Sequence, residues 1–165
     1  FEARWCKDAD VAVIGGGNSA GQAAMFLART ARHVHVLVRR DSLADTMSDY
    51  LLQRLRSHPR ITVHSRTEVT ALHGDGHLEA VTISDRMAGQ AWRLKTQALF
   101  VMAGAAPNTS WLSGLIALDD KGFVLTGGTV GGRSAYETSC AGVFAVGDVR
   151  AGSVKRVASA VGEGS

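Results

Sequence analysis

The sequence predicts an α/β fold: a parallel sheet carrying helices, with a β-meander inserted before its last strand. Three observations predict it. Residues 11–14 (Val-Ala-Val-Ile) form a short, wholly apolar run, as a central strand buried on both faces requires. Gly15-Gly16-Gly17 follows at once and opens an alanine-rich stretch, Asn18 to about Thr30. A second apolar run, Val34–Val38, completes β-α-β in a short span.

Each element has its own reason. Ala20, Ala23, Ala24 and Ala28 let the first helix lie close against a sheet. Ser42 is placed to cap a second helix, with Asp45 three residues on as a loose capping box. Leu43, Met47, Tyr50, Leu51 and Leu55 then recur at helical spacing until Pro59. Ile61–His64 is the third strand. Glu68–Leu72, Leu78–Ser84 and Ala91–Leu94 read as antiparallel strands, joined by turns at Gly74-Asp75-Gly76 and Met87–Gln90. Residues 99–103 are expected to be an apolar, buried parallel strand closed by Gly104, and 105–109 are a candidate domain boundary. Beyond it, a weak strand is expected at Phe123–Thr126, a glycine-rich loop at Gly127–Arg133, an apolar strand at Gly142–Val146 and a helix from Val154.

The totals narrow the function. Of 165 residues, 45% are hydrophobic and 20% charged, so the chain buries a core and is not disordered. A net charge of +3 without a basic, aromatic-interleaved stripe gives no case for nucleic acid. No apolar run is long enough for a bilayer. The two cysteines, Cys6 and Cys140, make no CxxC and require no oxidising compartment; a cytoplasmic location is expected. The chain starts at Phe1 and stops at Ser165 within an expected helix, so it reads as a piece of a longer chain.

The chemistry is concentrated at VAVIGGGNSA, which gives G-x-G-x-x-A at Gly15, Gly17 and Ala20. Gly15 permits the sharp strand-to-helix turn. Gly17 lacks a Cβ, so a diphosphate can approach the backbone. Ala20 lets the helix pack near the strand. The helix start at Asn18 and Ser19, after Gly16 and Gly17, then offers free N–H groups to phosphates. Between a buried strand and an alanine-rich helix, this spacing predicts a Rossmann-like dinucleotide site. The second strand ends Val38-Arg39-Arg40, with no carboxylate at its tip where NAD-binding units place one. Two guanidiniums suit a 2′-phosphate and favour NADPH. The competing reading is a solvated basic pair, with Asp41 orienting an arginine.

These strings, followed by Gly104-x-x-Pro107-Asn108-Thr109, TSCAGVFAVGDVRAG and KRVASAVGEG, resemble the thioredoxin reductase family, among the two-dinucleotide-binding-domain flavoproteins. The resemblance covers nearly the whole chain. It implies an NADPH-binding domain over 1–105 and a partial returning segment of the FAD domain over 106–165. It implies that Arg39 and Arg40 hold the 2′-phosphate, that Gly147-Asp148 lies at the FAD ribitol, and that Arg156 and Val157 turn backbone N–H groups to the isoalloxazine ring. It also implies that Gly104–Thr109 is one hinge strand, that the cofactors are NADPH and FAD, and that the whole protein is an oxidoreductase which can form a homodimer. Its acceptor, a small molecule or a protein, is left open. The chain departs from the family's pattern at the redox pair: the second cysteine of that CxxC falls at Phe1, and Cys6 has no partner at that spacing. A third arginine is replaced by Ala44. GGGNSAGQAA and GDVRAGSVKRVASAVGEG resemble a subgroup without the pair, often fused to an N-terminal regulatory domain. By itself the chain is expected to bind NADPH-type ligands, little FAD, and not to turn over. A non-catalytic NADPH-sensing module and a ferredoxin–NADP reductase of this fold remain as alternatives.

Other candidates are set aside. The six histidines read as surface or pairing residues, since Gly74-Asp75-Gly76 turns the chain between His73 and His77. Ser19 lies in G-x-S-x-G, but the glycines before it and the arginines after it fit dinucleotide binding better than a nucleophile elbow. Trp5, Trp92 and Trp111 are expected to pack. No side chain is needed as an acid, a base or a metal ligand.

Overall fold

The computed structural model describes residues 6–165. Phe1 and Trp5, both singled out above, lie outside the described residues. The chain divides into two compact units, one ending at Gly104 and one spanning Ala105–Ser165.

The first unit holds β1 (Asp10–Ile14), α1 (Asn18–Leu27), β2 (His33–Leu37), α2 (Asp49–Ser57), β3 (Ile61–His64), β4 (Thr67–His73), β5 (Ala80–Asp85), β6 (Ala91–Lys95) and β7 (Ala98–Val101). Four strands form a parallel sheet in the order β3-β2-β1-β7, and three form an antiparallel sheet in the order β4-β5-β6. This is the Rossmann-like sheet with a β-meander between its third and last strands.

Strand alternation explains the layers. Val11, Val13, Val34, Val36 and Ile61 point to one face and meet Ala20, Ala24 and Leu27 of α1 and Leu51, Leu52 and Leu55 of α2. Ala12 and Leu37 point to the other face and meet Val81 and Ile83 of β5. The central strand β1 is therefore buried on both sides, which is why it reads as a continuous apolar run. The last strand, β7, expected to be buried, is half-buried at the sheet edge, with Val101 exposed. Each fully buried Val, Leu or Ile contributes about 1.5–3 kcal/mol.

The helix expected from Ser42 begins instead at Asp49, after Ser48. Residues 42–48 form turns in which Ala44 N–H donates to Ser42 Oγ at 3.1 Å and Met47 N–H to the Leu43 carbonyl at 2.9 Å. Asp41, Ser42, Asp45, Thr46 and Ser48 crowd this run, and such side chains compete with helical hydrogen bonds. Leu43 and Met47 are nonetheless buried, so their spacing reported burial rather than backbone. Tyr50 is exposed, with the Arg54 guanidinium over its ring. The first helix closes at Leu27, earlier than expected.

The second unit is less regular. The strands expected at 123–126 and 142–146 shrink to single bridges, Val124 with Leu118 and Arg150, and Phe144 with Glu137. Turns at Asp119–Gly122 and Gly127–Gly131 leave the first stretch too short for a ladder. At 142–146, Thr138 N–H to Val143 and Ala145 N–H to Tyr136 are the two backbone bonds between the facing segments, and Gly142 N–H donates to the Glu137 carboxylate instead. The last helix, α3, spans Val157–Glu163, starting later than expected. Trp111 is exposed, its indole N–H donating to the Asn108 carbonyl at 3.2 Å, so it does not pack; Trp92 is exposed too.

Candidate dinucleotide site

Gly15 is clamped between two strands. Its N–H donates to the Leu37 carbonyl at 3.1 Å, and Met102 N–H donates to the Ile14 carbonyl at 2.7 Å. Its φ is 145°, and a Cβ there would lie 2.5 Å from the Met102 carbonyl oxygen. No side chain fits, so the chain must turn here through glycine. Gly17 caps α1 in an extended conformation (φ −96°, ψ 179°) without a side-chain hydrogen bond. The space its Cβ would take has no neighbour closer than 3.9 Å. Ala20 is fully buried behind the turn. The first-turn N–H groups of α1 have no intrahelical acceptor and no acidic neighbour in that turn, an arrangement suited to an anion. Ser19 lies in this helical turn, not on the strained elbow that a nucleophilic serine needs.

The register pairs Ile14 with Leu37. That sets the glycine turn and the Arg39–Arg40 tip side by side at the carboxyl ends of adjacent strands. Both arginines are exposed. The 46–48 segment ties itself to the glycine loop: Thr46 Oγ1 donates to the Gly16 carbonyl at 2.7 Å, and Ser48 N–H donates to Asn18 Oδ1 at 2.9 Å. Sequence reasoning missed Thr46 and Ser48; the only local hint was the run of Ser, Thr and Asp, which favours turns over helix. Gly104, just past β7, has φ of 90° and open space around it.

The remaining expected residues, Gly147, Asp148, Arg156 and Val157, lie in the second unit. Gly147–Val149 is a single 3-10 turn that exposes Asp148. Gly147 has φ of 72°, and a Cβ would lie 2.8 Å from that of Ala160, so glycine lets α3 approach. Glu163 fastens the turn, accepting Gly147 N–H at 2.7 Å and the Arg150 guanidinium at 2.6 Å. These bonds, the arginine's first, hold the Glu163 carboxyl below its ordinary range. Arg156 precedes α3 in extended backbone, and Val157 opens the helix, exposed.

The histidines pair locally. His33 Nε2 lies 2.8 Å from Thr62 Oγ1, His35 Nδ1 lies 3.1 Å from His64 Nε2, and His73 Nε2 lies 2.6 Å from Thr82 Oγ1. Burial, then the neighbouring imidazoles His33 and His64, lower the His35 pKa to about 4; burial also lowers that of His64. Among the described residues no group of three or more His, Cys, Asp or Glu is placed to hold a metal ion. Burial raises the pKa of the Cys6 thiol, and Cys140 is exposed. No helix among the described residues is long and apolar enough to cross a membrane.

The β-α-β unit, its glycine turn and the inserted meander define a Rossmann-like α/β module. A family model described as "Pyridine nucleotide-disulphide oxidoreductase" matches residues 2–164. The thioredoxin reductase of Mycolicibacterium smegmatis is 37% identical over 158 residues, covering 96% of this chain and 49% of its own length. The NADPH-dependent thioredoxin reductase 3 of Arabidopsis thaliana is 35% identical over 156 residues, covering 93% of this chain and 28% of its own. The structure of Lactococcus lactis thioredoxin reductase (FR conformation) matches with a TM-score of 0.84 at 26% identity, covering 99% of this chain and 52% of that one. The chain belongs to the pyridine nucleotide-disulphide oxidoreductase family and has the fold of its thioredoxin reductases. It spans about half the length of the bacterial relative, and less of the plant one.

Proposed function

We propose that the first unit is the NADPH site of a flavoprotein oxidoreductase. The observation that carries this reading is the shared edge: an anion-ready helix start and an exposed arginine tip, without an ion-pair partner among the described residues, on adjacent strands, β1 and β2. The amides of Asn18, Ser19 and Ala20 would hold the diphosphate. Gly15 and Gly17 would keep side chains out of its way. Arg39 and Arg40 would hold the 2′-phosphate through charge-assisted hydrogen bonds. The Arabidopsis relative is itself named NADPH-dependent, which supports this nucleotide.

In the second unit Asp148 is exposed on its turn and can accept from hydroxyls of the FAD ribitol chain. The N–H groups of Arg156 and Val157 would face the isoalloxazine ring. With both cofactors bound, they would supply hydride-transfer chemistry between nicotinamide and flavin, for which these residues would provide the binding and orientation. The residues here bind and orient; none acts as an acid or base. Cys6 is buried and Cys140 exposed, at no CxxC spacing, so neither supplies the dithiol needed to reduce a disulfide.

Calorimetry with 2′,5′-ADP and 5′-AMP tests the nucleotide. The 2′-phosphate is expected to tighten binding by about tenfold or more, a gain of about 1.4 kcal/mol. Arg39→Ala should remove most of that gain. Equal affinities, or no loss in Arg39→Ala, overturn the NADPH assignment.

A further inference from the structure

The corner between β3 and β4 is hooked onto the arginine tip. Val38 N–H donates to the His64 carbonyl at 2.9 Å, and Thr67 N–H donates to the Val38 carbonyl at 2.8 Å. Between these lies Arg66, with φ of 56°, a left-handed conformation uncommon for a residue with a Cβ. Its N–H donates to the Arg40 carbonyl at 3.0 Å, and its own carbonyl accepts Arg86 N–H at 2.9 Å. Backbone hydrogen bonds thus string Arg40, Arg66 and Arg86 together at the edge that carries the glycine turn.

All of these arginines are exposed, with Arg39. Among the described residues, neither Arg39 nor Arg40 has an ion-pair partner. Arg66 Nη2 lies a loose 3.8 Å from Asp85 Oδ2, while the other oxygen of that carboxylate, Oδ1, accepts the N–H groups of Met87 and Ala88 at 2.8 and 3.0 Å. Arg86 faces Glu68 at 3.8 Å. A multiply charged anion beside exposed, loosely paired guanidiniums gains charge-assisted hydrogen bonds from them.

We propose that Arg66 is a specificity-determining residue: its guanidinium swings from Asp85 to contact the nucleotide 2′-phosphate together with Arg39 and Arg40. The proposal rests on the NADPH reading above.

The test is calorimetry of the chain and its Arg66→Asn variant with 2′,5′-ADP and 5′-AMP. Asparagine tolerates the left-handed backbone, so the corner is kept while the cation is lost. Affinity for 2′,5′-ADP should fall about two- to fivefold, as expected for one solvent-screened contact among three, with 5′-AMP unchanged. Arg66→Lys should retain most of the affinity, and Arg86→Ala, one step further along the string, should change little. If Arg66→Asn keeps the native ratio of affinities while Arg39→Ala lowers it, the Arg66 proposal falls and the NADPH reading stands. A parallel loss for both nucleotides, or an equal loss in Arg86→Ala, also overturns it, in favour of a structural role or of net charge. Equal affinity of the unsubstituted chain for the two nucleotides removes both the reading and the proposal.

Discussion

Gly15→Ala probes the turn on which the functional reading stands. The new methyl carbon would lie 2.5 Å from the Met102 carbonyl oxygen and 3.0 Å from the Ala20 Cβ. Neither obstacle is a flexible side-chain end. Met102 is anchored to β1 through its N–H at 2.7 Å, and Gly15 itself is anchored to β2 at 3.1 Å. Holding a non-glycine residue at φ 145° costs about 1–3 kcal/mol. Forcing a methyl into packed backbone costs about 1–3 kcal/mol more. The sum, about 2–6 kcal/mol, is a large share of a typical folding free energy of about 5–15 kcal/mol. Gly17→Ala is the contrast. Its φ of −96° suits alanine, and the nearest atom to the new carbon is 3.9 Å away. That variant should lose less than about 1 kcal/mol of stability, as helix-cap changes do, yet bind the nucleotide more weakly. Urea unfolding followed by circular dichroism measures the first effect, and calorimetry with 2′,5′-ADP the second. A Gly15→Ala protein within about 0.5 kcal/mol of the parent, the scatter of neutral surface changes, would refute the claim that the turn requires glycine.

Thr46→Val removes the 2.7 Å bond to the Gly16 carbonyl; thermal melts should show a loss of about 1 kcal/mol and titration a weaker nucleotide affinity, and no change in either would mean that this tie has no role. Glu137 is held near pKa 2, first by the Arg133 side chain and then by the N–H groups of Gly142 and Arg133. Because its folded pKa lies below its ordinary 4.5, its stabilising effect is complete above about 4.5 and disappears as pH falls towards 2. Glu137→Gln should therefore flatten the acid limb of stability and lower the urea midpoint at pH 7; an acid limb as steep as before would contradict this. Burial first, then the neighbouring His33 and His64, with Asp10 opposing them, make His35 favour its neutral form in the fold, with a pKa of about 4. The stability that depends on it should be complete above about 6.5 and decline as pH falls from there to 4, and His35→Gln should make that slope shallower, leaving the part that His64, also lowered by burial, contributes. An imidazole midpoint near 6.5 in an NMR titration of His35 would exclude this account.

Much of the first unit was legible because its signals are local. Val11–Ile14 reads as a doubly buried strand from composition alone. Gly15, Gly17 and Ala20 carry a spacing that one turn enforces. Where side chains compete with backbone, local pattern misled: Leu43 and Met47 kept their burial but not their helix. In the second unit the expected strands at 123–126 and 142–146 failed because a ladder needs partners of sufficient length, and partner length is not written in the strand itself.

By itself, the sequence determined the β-α-β core, the glycine turn and the arginine pair, since each depends on residues a few positions apart. Only the tertiary structure decided what stands beside them. Met102 presses on Gly15 from just past β7, Thr46 and Ser48 hold the loop at Gly16 and Asn18, and Arg66 hooks onto Arg40 from the corner after β3. These contacts arise from strand register and chain crossovers, which hydrogen bonding between distant segments sets and no local window of sequence contains.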